Sequence, residues 1–360
     1  MTRPFHIAVL PGDGIGPEVT DSALKVVQAA TDGSDLSLEF SSHLVGWAAV
    51  QETGSPLPGE TRDAVLEADA VFLGAVGDPA ADELEGHLRP ETGLLELRKI
   101  LDCFANLRPA RAIEGLFDAS PLRPERIEGM DFVIVRELSS GLYYGQPRGV
   151  DRTGDEVVGV NTMRYTAGEV RRVARVAFET ALRRRRKVVS VDKANVLETS
   201  RVWREVVNEV ATEFEEVELE HMLVDRAAME LVLRPAYFDV ILTENMFGDI
   251  LSDEAAAVTG SIGLLASASL GTGTGLYEPV HGSAPDIAGK GVANPMAAIL
   301  SMAMLLEHSA DAPEAARAIE GAVETVLASG LRPPDLAGPG DSAAGTAEVT
   351  ARVVAALAGD

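Results

Sequence analysis

The chain has 360 residues, 46% hydrophobic and 24% charged, enough to bury one large core or two and to exclude wholesale disorder. Asp and Glu total 56 against 31 Lys and Arg, a formal charge of −25 that speaks against nucleic acid or anionic membrane as partners, since both are bound by basic side chains. A single cysteine, Cys103, excludes an internal disulfide and a cysteine-based metal site.

The opening MTRPFHIAVLPGDG holds too short an apolar run for a signal-peptide core. Within it His6–Leu10 reads as a buried strand, then a glycine turn, then a helix over Pro17–Ala30 with Val19, Ala23, Val26, Val27 and Ala30 on one face. Further buried strands are expected at Ala70–Leu73, Phe132–Arg136, Lys187–Val191 and Phe238–Thr243. The segment 141–165 is rich in Gly and polar residues and reads as a surface loop or a protruding β-arm. A helix is expected over Gly168–Arg186, so that the run Arg183–Lys187 sits at a helix end, where cations complement the dipole. The run Ala297–Leu306 falls far below the ~20 residues of a membrane span, and a cytoplasmic location is expected. The stretch 332–345 reads as a loop before a last helix, Thr346–Leu357. Strand and helix in alternation imply an α/β protein with a largely parallel sheet.

Neither usual nucleotide motif is present. The turn GDGIGP places Pro17 where a dinucleotide fingerprint needs glycine, and Gly289-Lys290 lacks the Ser or Thr of a P-loop. Chemistry-bearing residues gather instead at strand ends. Asp249 and Asp253 are four apart on a helix expected to follow the strand that ends at Thr243, and Asp225 closes the run His221–Val224. Oxygen ligands of this kind suit Mg2+ or Mn2+, although a solvated acidic face has the same pattern. Arg98, Arg108 and Arg136 suit a substrate with two carboxylates, and singly would be salt-bridge residues. Lys193 is placed for a general base or for an ion pair with Asp192 or another acid. Tyr143 is a candidate proton donor or an interface aromatic.

Taken together, GDGIGPEV (12–19), RPETGLLELRK (89–99), NLRPAR (106–111), VREL (135–138), VDKANVLE (191–198), FGDILSD (247–253) and EPVHGSAPDIAGKGVANPMAAILS (278–301) carry a resemblance. They resemble the 3-isopropylmalate dehydrogenases, the leucine-pathway branch of the β-decarboxylating isocitrate/isopropylmalate dehydrogenase family, over nearly the whole chain. The resemblance implies two α/β domains with mixed, largely parallel sheets rather than the usual Rossmann fold. Residues 1–103 with 260–360 would bind the cofactor. Residues 104–259 would bind substrate and metal and form a homodimer with shared active sites, clasped by the arm at about 141–165. The implied reaction is NAD-dependent oxidative decarboxylation of (2R,3S)-3-isopropylmalate to 4-methyl-2-oxopentanoate and CO2.

Residue by residue, Arg98, Arg108 and Arg136 would hold the malate carboxylates, with Asn195 beside them. Glu91, Leu94 and Leu95 would line the pocket for the isopropyl group. Asp249 and Asp253, with Asp225 from the partner subunit, would carry Mg2+ or Mn2+, and Lys193 from the partner and Tyr143 would move protons. NAD would lie on Ile15, Asp78, Glu91, Glu278, His281, Gly282, Ser283, Ala284, Asp286, Ile287 and Asn294. Asp286 would repel the 2′-phosphate of NADP. Retention of ETGLL argues against the polar substrates of the related homoisocitrate, tartrate and D-malate enzymes, leaving another 3-alkylmalate as the nearest alternative. A non-catalytic regulatory subunit would lack one of Lys193, Tyr143, Asp225, Asp249 or Asp253, and none is missing. Glu244 and the pair Ser139-Ser140 depart from the commoner pattern and would retune substrate preference.

Overall fold

The computed structural model describes residues 3–81, 83–338, 340 and 342–359. The first two residues of the opening run and positions 339 and 341 of the 332–345 loop lie outside the described residues. The described strands are β1 (Phe5–Gly12), β2 (Leu38–Ser42), β3 (Ala70–Ala75), β4 (Cys103–Arg111), β5 (Asp131–Glu137), β6 (Gly149–Asp151), β7 (Val158–Val160), β8 (Lys187–Asp192), β9 (Glu218–Leu223), β10 (Val240–Thr243), β11 (Ala266–Gly271) and β12 (Gly275–Pro279). The chain divides into two compact units, residues 1–103, 113–121 and 259–360, and residues 104–112 and 122–258.

In the first unit the strands run β2-β1-β3-β12-β11, parallel except for the hairpin pair β11 and β12. All six residues of β3 are buried, the pattern of a parallel strand covered on both faces. Helix Gly16–Thr31, with Pro17 in its first turn, packs on helices Met296–His308 and Thr346–Ala358. The apolar run Ala297–Leu306 is buried within Met296–His308, so its composition reflects a core helix. No helix among the described residues is long and apolar enough to cross a membrane. The short stretch 113–121 joins this unit because Gly115 packs against Ala328 and its carbonyl accepts from Arg332.

In the second unit the order is β4-β5-β10-β8-β9, again parallel except for β4 and β5. The mixed, largely parallel α/β architecture is the expected one, and its strand order is not that of the usual Rossmann sheet. Segment 141–165 opens with a turn at Gly141–Tyr143 and then forms the antiparallel pair β6 and β7, whose six residues are all exposed.

Two local expectations change. The helix expected over Gly168–Arg186 spans Ala167–Leu182, opened by a reciprocal Thr166–Glu169 capping box and ended before Arg186, whose φ of +62° breaks the helical path. The arginine run follows the helix end directly, with Arg183 as its C-cap, and it also meets acids from elsewhere in the unit. Arg184 pairs with Asp131 at 2.7 Å and with buried Asp239 at 3.0 Å, and Arg186 pairs with Glu216 at 3.0 Å, pinning the entry to β8. The run His221–Val224 also divides: β9 ends at Leu223, and Val224 and Asp225 begin helix Val224–Leu233.

The glycine turn after β1 is shaped by contact. Gly12 has φ of +73°, and a Cβ there would stand 1.8 Å from the Ala75 carbonyl oxygen. Gly33 has nearly the same φ, +74°, with nothing within 4 Å. Gly12→Ala is expected to cost about 2 kcal/mol more than Gly33→Ala, because backbone strain is common to both and overpacking to one. Urea unfolding of the two variants checks the difference.

Candidate active site

The richest constellation lies in the second unit, at the carboxyl ends of β5 and β10. Arg136, next to last in β5, is 2% exposed. Helix Asn245–Thr259 starts just after β10 and carries Asp249 and Asp253 one turn apart. Arg136 donates from Nη1 to Asp249, and its Nε and Nη2 donate to Asn245 Oδ1 at 3.0 and 2.8 Å. Arg108, mid-strand in β4 rather than at a strand end, brings Nη1 to 3.6 Å from Asp249 and 3.8 Å from Asp253. Its Nε donates to Asn106 Oδ1 at 2.7 Å and its Nη1 to Ser252 at 2.6 Å. Two carboxylates that would repel on a bare helix are thus held by two guanidiniums.

Tyr143 completes this group, donating to Asp249 Oδ2 at 2.9 Å, with Arg136 5.8 Å from its ring centre. Burial and the neighbouring Asp249 push its phenol up to about 12, so it holds its proton throughout the neutral range. The turn presenting Tyr143 winds around buried Glu137, which accepts from the Ser139 amide and hydroxyl and from the Ser140 amide. The two serines flagged in the sequence are therefore ligands of a buried carboxylate, which burial raises above its ordinary value. Burial alone would raise Asp249 too, but the charges of Arg136 and Arg108 outweigh it and hold Asp249 below the usual carboxylate range. Asp253, farther from those charges, is raised by burial and by Asp249.

Lys193, just past β8, forms an ion pair with Asp225, which lowers the Asp225 carboxyl. Its alternative partner Asp192 is instead buried against Arg204. Asn195 is exposed nearby in sequence. Asp225 does not join Asp249 and Asp253: among the described residues no three His, Cys, Asp or Glu are grouped to hold a metal. Two carboxylate oxygen donors suit a hard divalent ion that takes its remaining ligands elsewhere.

In the first unit, Glu91, Leu94, Leu95 and Arg98 share one face of helix Pro90–Ile100, while Gly93 and Leu97 are buried on the other side. Arg98 is in the last turn of that helix, not at a strand end, and meets buried Glu278 of β12 at 2.8 Å. Glu91 lies over Gly77, its Oε1 3.3 Å from where a Cβ would stand. Asp78 accepts from the Ala80 amide at 2.8 Å. Past β12 the chain crosses Val280–Pro295 without a helix, and Ser283 presses its carbonyl onto the glycine turn. The Ile15 amide donates to Ser283 O at 2.7 Å, and a Cβ on Gly14, φ +57°, would stand 2.0 Å from that oxygen. His281 donates from Nδ1 to Gly282 O at 2.9 Å, leaving Nε2 buried without a hydrogen-bond partner. Burial lowers the His281 pKa. Asp286 and Gly282 are exposed, while Ala284 and Ile287 are half-buried. Asn294 caps helix Met296–His308 through the Met296 amide and donates to Asp335 at 3.0 Å.

Several functional contacts escape sequence reasoning. Asp13, 5% exposed, accepts from the amides of Trp47, Ala48 and Gly77, each at 2.8 Å, and so ties the start of helix Gly46–Thr53 and the Gly77 loop to the glycine turn. Asn106, Asn245, Ser252, Tyr165 and Asp335 belong with these, all but Asn106 joined to site residues across long stretches of chain. An acid between two turn glycines was the one available signal.

The family model described as isocitrate/isopropylmalate dehydrogenase matches residues 6–353. The chain belongs to the isocitrate/isopropylmalate dehydrogenase family. It is 58% identical over 353 residues to the 3-isopropylmalate dehydrogenase of Halalkalibacterium halodurans, covering 98% of this chain and 97% of that protein. It is 56% identical over 361 residues to the 3-isopropylmalate dehydrogenase of Priestia megaterium, covering 100% and 97%. Among solved structures, the isocitrate dehydrogenase of Methylococcus capsulatus superposes with a TM-score of 0.87 at 38% identity, covering 98% of this chain and 99% of that one. As a dehydrogenase of this family, the chain is an oxidoreductase, and the acid–arginine cluster is its most chemically loaded region.

Because Arg108 faces both helix carboxylates, Arg108→Gln is expected to raise the pKa of each. Asp249 moves back toward its ordinary value, and Asp253 moves further above it. Carbon-detected NMR titration of the two carboxyls reads the shifts; unmoved values would separate Arg108 from the pair.

Proposed function

We propose that the protein catalyses the NAD-dependent oxidative decarboxylation of (2R,3S)-3-isopropylmalate to 4-methyl-2-oxopentanoate and CO2, as a step of leucine biosynthesis. The observation that carries this reading is the convergence of Arg108, Arg136, Tyr143, Asp249 and Asp253 in a chain closely similar to enzymes of that name. When bound, NAD would accept hydride from C2 and Mg2+ or Mn2+ would draw electron density from the substrate's oxygens, easing both oxidation and loss of CO2.

The chain's own residues account for the rest. Arg108 and Arg136 supply planar donors for the substrate carboxylates, and their burial strengthens the attraction. Asp249 and Asp253 are the metal ligands of this chain, the first kept ionised by its arginines. Lys193, acting as the free amine, takes the C2 hydroxyl proton, and Asp225 receives the ammonium that results. Tyr143, protonated at neutral pH, gives a proton to the enol carbon after decarboxylation. Leu94 and Leu95 offer apolar surface to the alkyl group, where one methylene discriminates by about 1–3 kcal/mol.

The first unit supplies the cofactor residues on this reading. The orphaned Nε2 of His281 is a hydrogen-bonding position awaiting a polar partner. An exposed carboxylate at Asp286 pairs with ribose hydroxyls and repels a 2′-phosphate, which favours NAD over NADP. The enzyme is read as cytoplasmic, which cell fractionation checks.

NADH formation with Mg2+ across isopropylmalate, isocitrate, homoisocitrate, D-malate and tartrate should be led by isopropylmalate and abolished by excess chelator. Another acid at the head of that panel would overturn the substrate.

A homodimer with shared sites is part of the proposal. It is supported by the separation of the Lys193–Asp225 pair from the Asp249 group and by exposed Val150, Val158 and Val160 on the β6–β7 arm. Lys193→Ala and Asp249→Asn should each lose at least about 100-fold in turnover. Mixed and allowed to exchange subunits, they should regain about a quarter of wild-type activity, since half the dimers then hold one intact site. No recovery in verified hybrids would place both residues in one chain's site.

A further inference from the structure

Asn245 has no assigned part in the chemistry, yet it is 1% exposed and spends every polar group of its side chain close to the reaction centre. Its Oδ1 accepts from two nitrogens of Arg136, and its Nδ2 donates to the Ser140 carbonyl at 3.0 Å, in the turn that delivers Tyr143. Behind it, the Asn245 amide donates to the Tyr165 hydroxyl at 3.0 Å, and that hydroxyl donates to Glu244 at 3.2 Å. Glu244 in turn accepts from the Met246 and Phe247 amides and fixes the first turn of the same helix. A guanidinium offers three nitrogens in one plane, and anchoring two of them fixes the direction of the third. An amide does this without a charge of its own. A carboxylate in the same place would also accept from Arg136, but it would cancel the arginine's positive charge and could not donate to the Ser140 carbonyl.

We propose that Asn245 is a positioning residue for Arg136: it grips the inner edge of the guanidinium through a neutral acceptor, so that Nη1 and the full charge face the helix carboxylate and the substrate. This rests on the reading of Arg136 as a substrate-carboxylate donor. Asn245 also ties that arginine to the Tyr143 turn, setting the charge and the proton donor in one frame.

The test compares Asn245→Asp and Asn245→Ala in the full-length protein. Asn245→Asp keeps the acceptor toward Arg136 but loses the donor to the Ser140 carbonyl, so some thermal stability is lost, as in Asn245→Ala, and both variants are compared at a temperature where they stay folded. Isopropylmalate affinity, measured by calorimetry with Mg2+ and without NAD, should fall about tenfold or more, with KM rising more than kcat falls. Asn245→Ala should also weaken binding and should lose the slowly exchanging Nε–H signal of Arg136, assigned through Arg136→Lys. Wild-type affinity in Asn245→Asp, an unchanged Arg136 signal in Asn245→Ala, or failure of both variants to fold would overturn the proposal. Wild-type protein inactive on isopropylmalate would defeat the substrate reading alone, and the Arg136 signal would still decide the grip.

Discussion

Arg136 has to remain charged where water does not reach it, and the second unit is organised around that requirement. An unpaired buried charge is among the costliest features a fold can carry, so the surroundings must offset it through hydrogen bonds and countercharge. Two come from Asn245, one from Asp249, and a tyrosine ring lies beside the guanidinium. The ends of β5 and β10, the Ser139–Ser140 turn and the first turn of helix Asn245–Thr259 all meet at this one side chain. Arg136, with Arg108, holds the Asp249 carboxyl below the usual range, and Asp249 adds to the upward push of burial on the Tyr143 phenol. The cation thus bears on the acid and, through it, on the proton donor.

The first unit meets the complementary problem with a buried anion. Asp13 is held by three backbone amides rather than by a cation, so its charge is met by dipoles whose positions the fold fixes. The same carboxylate stops Gly46 from bearing a side chain, since a Cβ there would sit 2.3 Å from Asp13 Oδ2. A chain of net charge −25 therefore has one unit that stabilises a carboxylate with backbone and another that concentrates arginine.

Much of this was legible in sequence because it was local. Parallel strands buried on both faces leave unbroken apolar runs, which is why β1, β3, β5, β8 and β10 could be placed to within a few residues. The helix bearing Asp249 and Asp253 followed from the strand ending at Thr243. The family motifs carried the rest of the fold class. What stayed hidden were pairings across distance: Arg98 with Glu278, Asp13 with Trp47 and Gly77, Asn245 with Arg136. No periodicity reports them, since each depends on which strand ends the sheet brings together. The arginine run does sit at a helix end, as its sequence indicates, but its pairing with Asp131 and Asp239 stayed hidden for the same reason.

The pairing of β3 with β12 has a consequence for the order in which the molecule can form. Ala70 lies opposite Gly275, so β3 lacks one neighbour until about 200 further residues have been made. The second unit is drawn almost wholly from that intervening stretch, and its strands are all available before β12 exists. During synthesis, β1, β2 and β3 must therefore wait with an open edge while the arginine-bearing unit is already complete in sequence. The half that emerges first is the half that can close last.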